Sequence, residues 1–207
     1  MTAPSRRSDK TITLHHQVVC LAKREASNAG QSTAAYVADL ILKDAIPSGD
    51  IAELTADDLR RAVWKLMPDE WAMEPHPGVL FEDADGNHHE PADMGINGPF
   101  VRLDVGGPMS AFMCASADAI KAFADDLREV ADNGGRATIK LRNAFSEIEG
   151  CPDLYAQRQG NGVVFKYLGR DETLSSVSSH YIPVAALALE CVALLAQKQE
   201  ELDNEPH

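Results

Sequence analysis

The chain has few of the short-range patterns by which enzymes and metalloproteins are recognised. Its four cysteines, Cys20, Cys114, Cys151 and Cys191, lie far apart in 207 residues, so no C-x-x-C pair offers a zinc or redox centre. There is no nucleophile elbow, phosphate loop or dinucleotide-binding glycine motif, and Gly106-Gly107 and Gly134-Gly135 read only as turns. No catalytic activity, cofactor or metal is therefore expected. No signal peptide opens the sequence, which makes the reducing cytoplasm the expected compartment, with Cys114 and Cys191 as small core residues. The longest apolar stretch, Pro183–Leu202, is interrupted by Glu190 and reads as too short to span a membrane, so no membrane partner is expected.

Positive charge is the other shortage. A formal net charge of −13 argues against an electrostatic partner such as nucleic acid, but the deficit is uneven. Up to Gly49, six basic residues (Arg6, Arg7, Lys10, Lys23, Arg24 and Lys43) face four acidic ones, a balance of +2 that leaves −15 for the remainder. Such asymmetry points to an N-terminal part with a task different from that of the acidic body.

That N-terminal part carries a strand and two helices. In Thr11–His16, Ile12 and Leu14 fall on one face and Thr11, Thr13 and His15 on the other. A helix follows from about Gln17 to Asn28, with Val18, Leu21, Ala22, Ala26 and Ala29 at helical spacing. Gly30 suits the left-handed residue after a helix, and Ser32 an N-cap for a second helix whose buried face is Val37, Leu40, Ile41 and Ala45. Pro47-Ser48-Gly49 ends it. One strand leaves its backbone groups unpaired, and under fifty residues bury too little apolar surface to stand alone. A twofold dimer repairs both defects: the strands pair antiparallel, with Ile12, Leu14, Val37 and Ile41 in the shared core.

The T-I-T-L strand, the helix opening with Val18, the Gly30-Gln31-Ser32 turn and the Val37…Ile41 stripe together resemble a ribbon-helix-helix DNA-binding domain of the CopG/Arc/MetJ type. The resemblance covers the first quarter of the chain. It implies a homodimer that inserts a two-stranded ribbon into the major groove of double-stranded DNA. Thr11 and Thr13, with His15 beside them, would read base edges, while Ser32 and Thr33 at the second helix's start would hold phosphate. Arg6, Arg7 and Lys10 form a basic arm suited to phosphate. Two departures from the family pattern weaken each dimer. Asp9 stands where many relatives have a basic residue, and His15-His16 stand where a helix N-cap is expected.

Beyond this domain of residues 1–49, a linker helix is expected within 50–76 and an acidic α+β domain over 77–207. In the linker, Thr55 and Asp58 form a capping box, Leu59, Ala62, Val63 and Leu66 the buried stripe, and Pro68 the stop. Arg60, Arg61 and Lys65 read as its solvated face. Hairpins are expected around Asp85-Gly86-Asn87, between Phe100–Val105 and Met109–Ala115, and around Gly160-Asn161-Gly162. A helix capped by Ser116 or Asp118 carries Ile120, Phe123, Ala124, Leu127, Val130 and Ala131 on one face. Arg136–Arg142 and Leu174–Ile182 read as further strands and Pro183–Leu202 as a last helix. Hairpin, strand and helix thus occur twice. The fold class is α+β, with two helices covering an antiparallel sheet.

Two clusters within the body are read as structural. His88-His89 lies among carboxylates, but adjacent strand residues point to opposite faces, and the glycine of Asp83–Asn87 comes too early for a calcium loop. Arg136, Lys140 and Arg142 make a basic stripe that neighbouring carboxylates can pair. The expected function is a cytoplasmic DNA-binding transcriptional regulator, a repressor, in which the body oligomerises or binds a ligand or partner. The alternative is a protein-interaction inhibitor, antitoxin-like or phage-type, whose acidic body binds a partner protein while the ribbon-helix-helix part dimerises or autoregulates.

Overall fold

The computed structural model describes residues 16–76, 81–82, 88–89, 98–106, 113–139, 142–143 and 153–203. The chain divides into two compact units, residues 1–37 and residues 38–207, with the boundary inside a helix.

The first unit holds α1 (His16–Asn28) and the start of α2 (Thr33–Ala45). The turn between them is fixed by the backbone. The amide of Gln31 donates to the Ala26 carbonyl at 2.9 Å and that of Gly30 to the Ser27 carbonyl at 3.1 Å, while Gly30 takes φ +69°. This pair of bonds with a left-handed glycine is the Schellman arrangement, and it satisfies the carbonyls that the end of α1 leaves open. Ser32 then caps α2, its Oγ accepting from the Ala35 amide at 3.1 Å. The apolar stripe expected on α1 is not covered within one chain: of its members only Ala26 is buried, whereas Val18 is 48% and Leu21 50% exposed.

In the second unit the remainder of α2 buries Ala38, and Ile41, Leu42 and Ala45 pack partly against the core. Leu40, expected on the buried face, is 47% exposed. A short 3₁₀ turn, Ile51–Glu53, leads to α3 (Ala56–Leu66), which starts at the expected capping box. Thr55 Oγ1 accepts from the Asp58 amide at 3.2 Å, and Asp58 accepts from the Thr55 amide at 3.3 Å. That hydroxyl and the Arg61 guanidinium hold the Asp58 carboxyl below its usual range. Leu59, Ala62, Val63 and Leu66 are buried as expected. They lie in the same core as the body, so the helix read as a linker is an integral part of this unit.

The body is α+β with antiparallel pairing throughout. Its strands are β1 (Ala72–His76), β2 (Phe81–Glu82), β3 (His88–His89), β4 (Phe100–Asp104), β5 (Met113–Ser116), β6 (Arg136–Ile139), β7 (Arg142–Asn143), β8 (Leu154–Gln159), β9 (Gly162–Tyr167) and β10 (Thr173–Ser178). In place of the one antiparallel sheet expected, the described strands form two four-stranded sheets, one of order β1-β4-β5-β7 and one of order β10-β9-β8-β6, and β2 pairs with β3 in a two-stranded sheet. Helix α4 (Ala117–Asn133) follows β5, and α5 (Ile182–Asp203) follows β10. The second half follows the expected order of hairpin, strand and helix, with the meander β8-β9-β10 running into α5, whereas in the first half the hairpin β2-β3 stands outside the four-stranded sheet and is inserted between β1 and the β4-β5 pair that leads to α4.

Three further expectations about the body need correction. Strand β1 falls in the stretch assigned to the linker, where Pro75 disguises it. It is the outermost strand of its sheet, a place where a missing backbone donor costs least. The single strand expected over Arg136–Arg142 divides instead into β6 and β7, which belong to different sheets, because each half pairs with a different partner. The proposed basic stripe is divided with it. Arg136 stacks over the Tyr155 ring at 4.2 Å, Arg142 lies on the other sheet, and Lys140 is outside the described residues. Third, α5 has 22 residues, and by length and composition alone it is long enough to cross a membrane, although most of that stretch is buried inside the unit.

The two sheets meet near the start of β1. Trp71, buried, donates from Nε1 to Ser175 Oγ on β10 at 3.1 Å and packs edge-on against Phe165, centroids 4.9 Å apart. Just beyond β4, Gly106 has φ +93°, and a Cβ there would sit 3.2 Å from the Leu174 carbonyl, so only glycine fits this approach. Trp71→Phe keeps most of the apolar contact but leaves the buried Ser175 hydroxyl without its donor. The expected cost is about 1–3 kcal/mol, read as a lower denaturant midpoint with an unchanged slope.

Candidate functional site

The residues expected to contact DNA through the arm and ribbon, Arg6, Arg7, Lys10, Thr11, Thr13 and His15, lie outside the described residues, as do the core candidates Ile12 and Leu14. The remaining candidates are placed. Ser32 is exposed and occupied as the α2 cap, and Thr33 is half-buried at the first turn, where no acidic side chain offsets the positive end of the helix dipole. Val37 and Ile41 are both half-buried, and Ile41 packs against the core of its own chain. On α1, Lys23 and Arg24 are exposed, and Arg24 pairs with the neighbouring Glu25 at 3.0 Å.

The body holds a feature that the sequence did not disclose. A cleft of about 550 Å³ lies between α3 and β1. Its apolar lining comes from Val63 and Met67 at one side, Met73 of β1, and Val192 and Leu195 of α5. Its charged lining is Arg60, Glu74, Arg102 and Asp104. Four consecutive residues of β1, Ala72 to Pro75, contribute, so the cleft follows the strand and takes side chains from both of its faces. Trp64 stands beside it at 78% exposure, the most exposed of the large apolar side chains described. The one sign of this in the sequence is that Trp64 falls off the Leu59, Ala62, Val63, Leu66 stripe.

The polar face of α3 around Trp64 is a row of ion pairs. Arg60 meets Asp57 at 2.7 Å, Arg61 meets Asp58, and Lys65 meets Asp44 at 3.0 Å. Across the cleft Arg102 meets Glu74 at a looser 3.4 Å. All are exposed pairs of small energetic worth. Asp104 accepts from the Gly106 amide at 2.7 Å and so also shapes the turn after β4. With both signs on its rim and an apolar floor, the cleft has the composition of a recognition surface. Its described lining residues include no nucleophile–base pair.

His88 and His89 form the two-residue β3, and most of the carboxylates near them in sequence lie outside the described residues. Among the described residues no three His, Cys, Asp or Glu side chains are placed to share a metal ion. Cys114 and Cys191 are buried and Cys20 is exposed, none of the three in a disulfide; Cys151 lies outside the described residues. Comparison of the chain with protein-family models, with curated proteins and with solved structures finds no match.

Burial, and next to it the charge of Glu190, pushes the Cys191 thiol up to about 12. A raised folded-state value means that the neutral thiol favours the fold at ordinary pH. That contribution is lost only as pH climbs from the unfolded value of 9.0 through about 12. In a thiol-labelling experiment at about pH 8.5, near the ordinary thiol range, Cys20 should react in the native protein. Cys191 should react only when the protein unfolds, its labelling following the denaturant transition.

Proposed function

We propose that the chain is a cytoplasmic, sequence-specific DNA-binding regulator, a repressor, that acts as a homodimer through an N-terminal ribbon-helix-helix domain and has no catalytic role. The observation that carries this reading is the uncovered stripe of α1. Val18 and Leu21 stand half exposed on a helix of regular apolar spacing, beside a turn fixed by the Gly30 Schellman bonds and the Ser32 cap. A helix built with an apolar stripe and left bare in one chain calls for a second chain. The T-I-T-L segment preceding it supplies the strand by which two such chains pair.

In that dimer Ile12 and Leu14 turn inward, and Thr11, Thr13 and His15 of both chains stand on the outer face of the ribbon. A threonine hydroxyl donates or accepts at a base edge, and its methyl meets the thymine methyl. The start of α2, at the positive end of its helix dipole, faces phosphate, and Arg6, Arg7 and Lys10 add charge. Asp9 opposes phosphate, so one dimer binds modestly and the operator is filled by several side by side. A second reading, a protein-interaction inhibitor whose body binds a partner protein, draws on the Trp64 cleft. The two differ in outcome: a stoichiometric protein partner from the native host favours inhibition, and bound DNA without protein favours regulation.

The reading face is tested by replacing Thr11 and Thr13 together with Ala and selecting DNA sites at physiological salt. Discrimination against single base changes should fall by about 1–3 kcal/mol per lost contact while helical circular dichroism stays unchanged. If the double variant holds the parent's preferred site as tightly as the parent does, the ribbon does not read DNA. Leu21→Glu should place a charge in the dimer core and shift the mass in solution from dimer toward monomer, with DNA binding lost in parallel.

A further inference from the structure

We propose that the cleft beside α3 is a self-association surface, which takes the same surface of a second copy of this chain about a twofold axis. A knob and a hole lie next to each other on one patch. Trp64 projects its indole into solvent, and the adjoining cleft of about 550 Å³ is lined by half-buried Met67 and by Val63, Met73, Val192 and Leu195, which are buried beneath it. In a twofold contact each element meets the other's complement, so one interface covers both indoles. Each indole removes roughly 150–250 Å² of surface from water on burial.

The rim charges select the occupant. Arg60 and Arg102 stand with Glu74 and Asp104, two of each sign around one opening. Such a rim complements itself, whereas a partner surface carrying only one sign of charge would meet like charge on half of it. Nucleic acid is disfavoured on the same ground, since Glu74 and Asp104 would repel phosphate and a stacked base would leave the apolar floor unfilled. The exposed pairs of Arg60 with Asp57 and of Arg102 with Glu74 exchange readily for equivalent pairs across an interface. Tryptophan, methionine and arginine, the residue types most enriched at interface centres, supply Arg60, Trp64, Met67, Met73 and Arg102 here. Pro75 removes a backbone donor from β1, so strand addition along that edge is blunted and side chains carry the contact. The association itself does not depend on the DNA reading. Its consequence, that bodies of neighbouring dimers join along an operator, rests on the ribbon-helix-helix reading.

The test is sedimentation of the full-length protein over the micromolar range, with tryptophan emission recorded on the same samples. The wild type should show a concentration-dependent association step accompanied by a blue shift of Trp64 emission, because Trp71 is already buried. Trp64→Ala should weaken that step at least about tenfold, and Arg60→Glu, which leaves the indole in place, should weaken it too. The proposal is overturned if the wild type shows no such step, if Trp64→Ala associates as tightly, or if associated protein keeps the emission of an exposed indole. It is also overturned if oligothymidylate or a foreign peptide, and not a second copy, shifts that emission. Leu21→Glu separates the two readings. In that variant the Trp64-dependent step should persist but start from monomer, so failure of the ribbon dimer changes the starting mass and not the dependence on Trp64.

Discussion

The body depends on one constraint: α5 is apolar on nearly every side and must be covered on nearly every side. Ile182, Val184, Ala185, Ala186, Ala188, Leu189, Cys191, Val192, Ala193, Leu195 and Ala196 are all buried. A helix hydrophobic all round has no solvent face to offer, so other elements have to supply walls. Here α3 packs on one flank, α4 on another, and β1 and β4 against a third. The one charge in the apolar stretch is Glu190, and it is met by Arg128 of α4 in a two-pronged contact at 2.7 and 2.8 Å. That hydrogen bonding raises the Arg128 pKa, and the matched fork offsets the cost of taking the carboxylate out of water. Toward its end, Lys198 donates to the Leu54 carbonyl at 2.9 Å and the Ala52 carbonyl at 3.3 Å, tying the 3₁₀ turn before α3 to the same helix.

Much of this was legible where the determinants are local. Thr55 with Asp58, Ser116 and Gly134 mark helix ends through bonds a few residues long, and each does so in the structure. Ser116 Oγ accepts from the Ala119 amide at 3.2 Å, and Gly134 takes φ +78°. The apolar face of α4 is likewise buried as its spacing implies. Strand identity was harder, because a strand is stabilised by its neighbour and not by itself. Nothing within Arg136–Arg142 states that one half pairs with β8 and the other with β5. Trp64 was hidden for a related reason. Its displacement from the α3 stripe is visible in sequence, but the cleft beside it is made by residues of β1, β4 and α5, up to 131 positions away at Leu195.

The N-terminal part shows the opposite limit. Its helix ends and turn are local and legible, yet Val18 and Leu21 stand half exposed in one chain, and on the proposed reading a second chain covers them. Spacing alone predicted a buried face; the single chain leaves most of it bare. The contrast with α3 is instructive. There the apolar stripe meets the core of its own unit and is buried to the last member, so the same kind of pattern has two outcomes according to what lies opposite.

On the proposed reading, the charge of the chain becomes part of the mechanism. A net charge of −15 beyond Gly49 repels both DNA and other copies at long range, but the Debye length at physiological salt is about 8 Å, so short contacts decide the outcome. Binding by one ribbon is then weakened by Asp9 and by the acidic mass it carries, which disfavours occupation of random DNA. Where adjacent sites hold two dimers, a contact between bodies acts at high effective concentration and adds to the base contacts without new DNA chemistry. A weak ribbon joined to a body that associates weakly thereby discriminates by site arrangement as well as by base sequence. A strong ribbon would lose that second criterion, because single dimers would already saturate isolated sites.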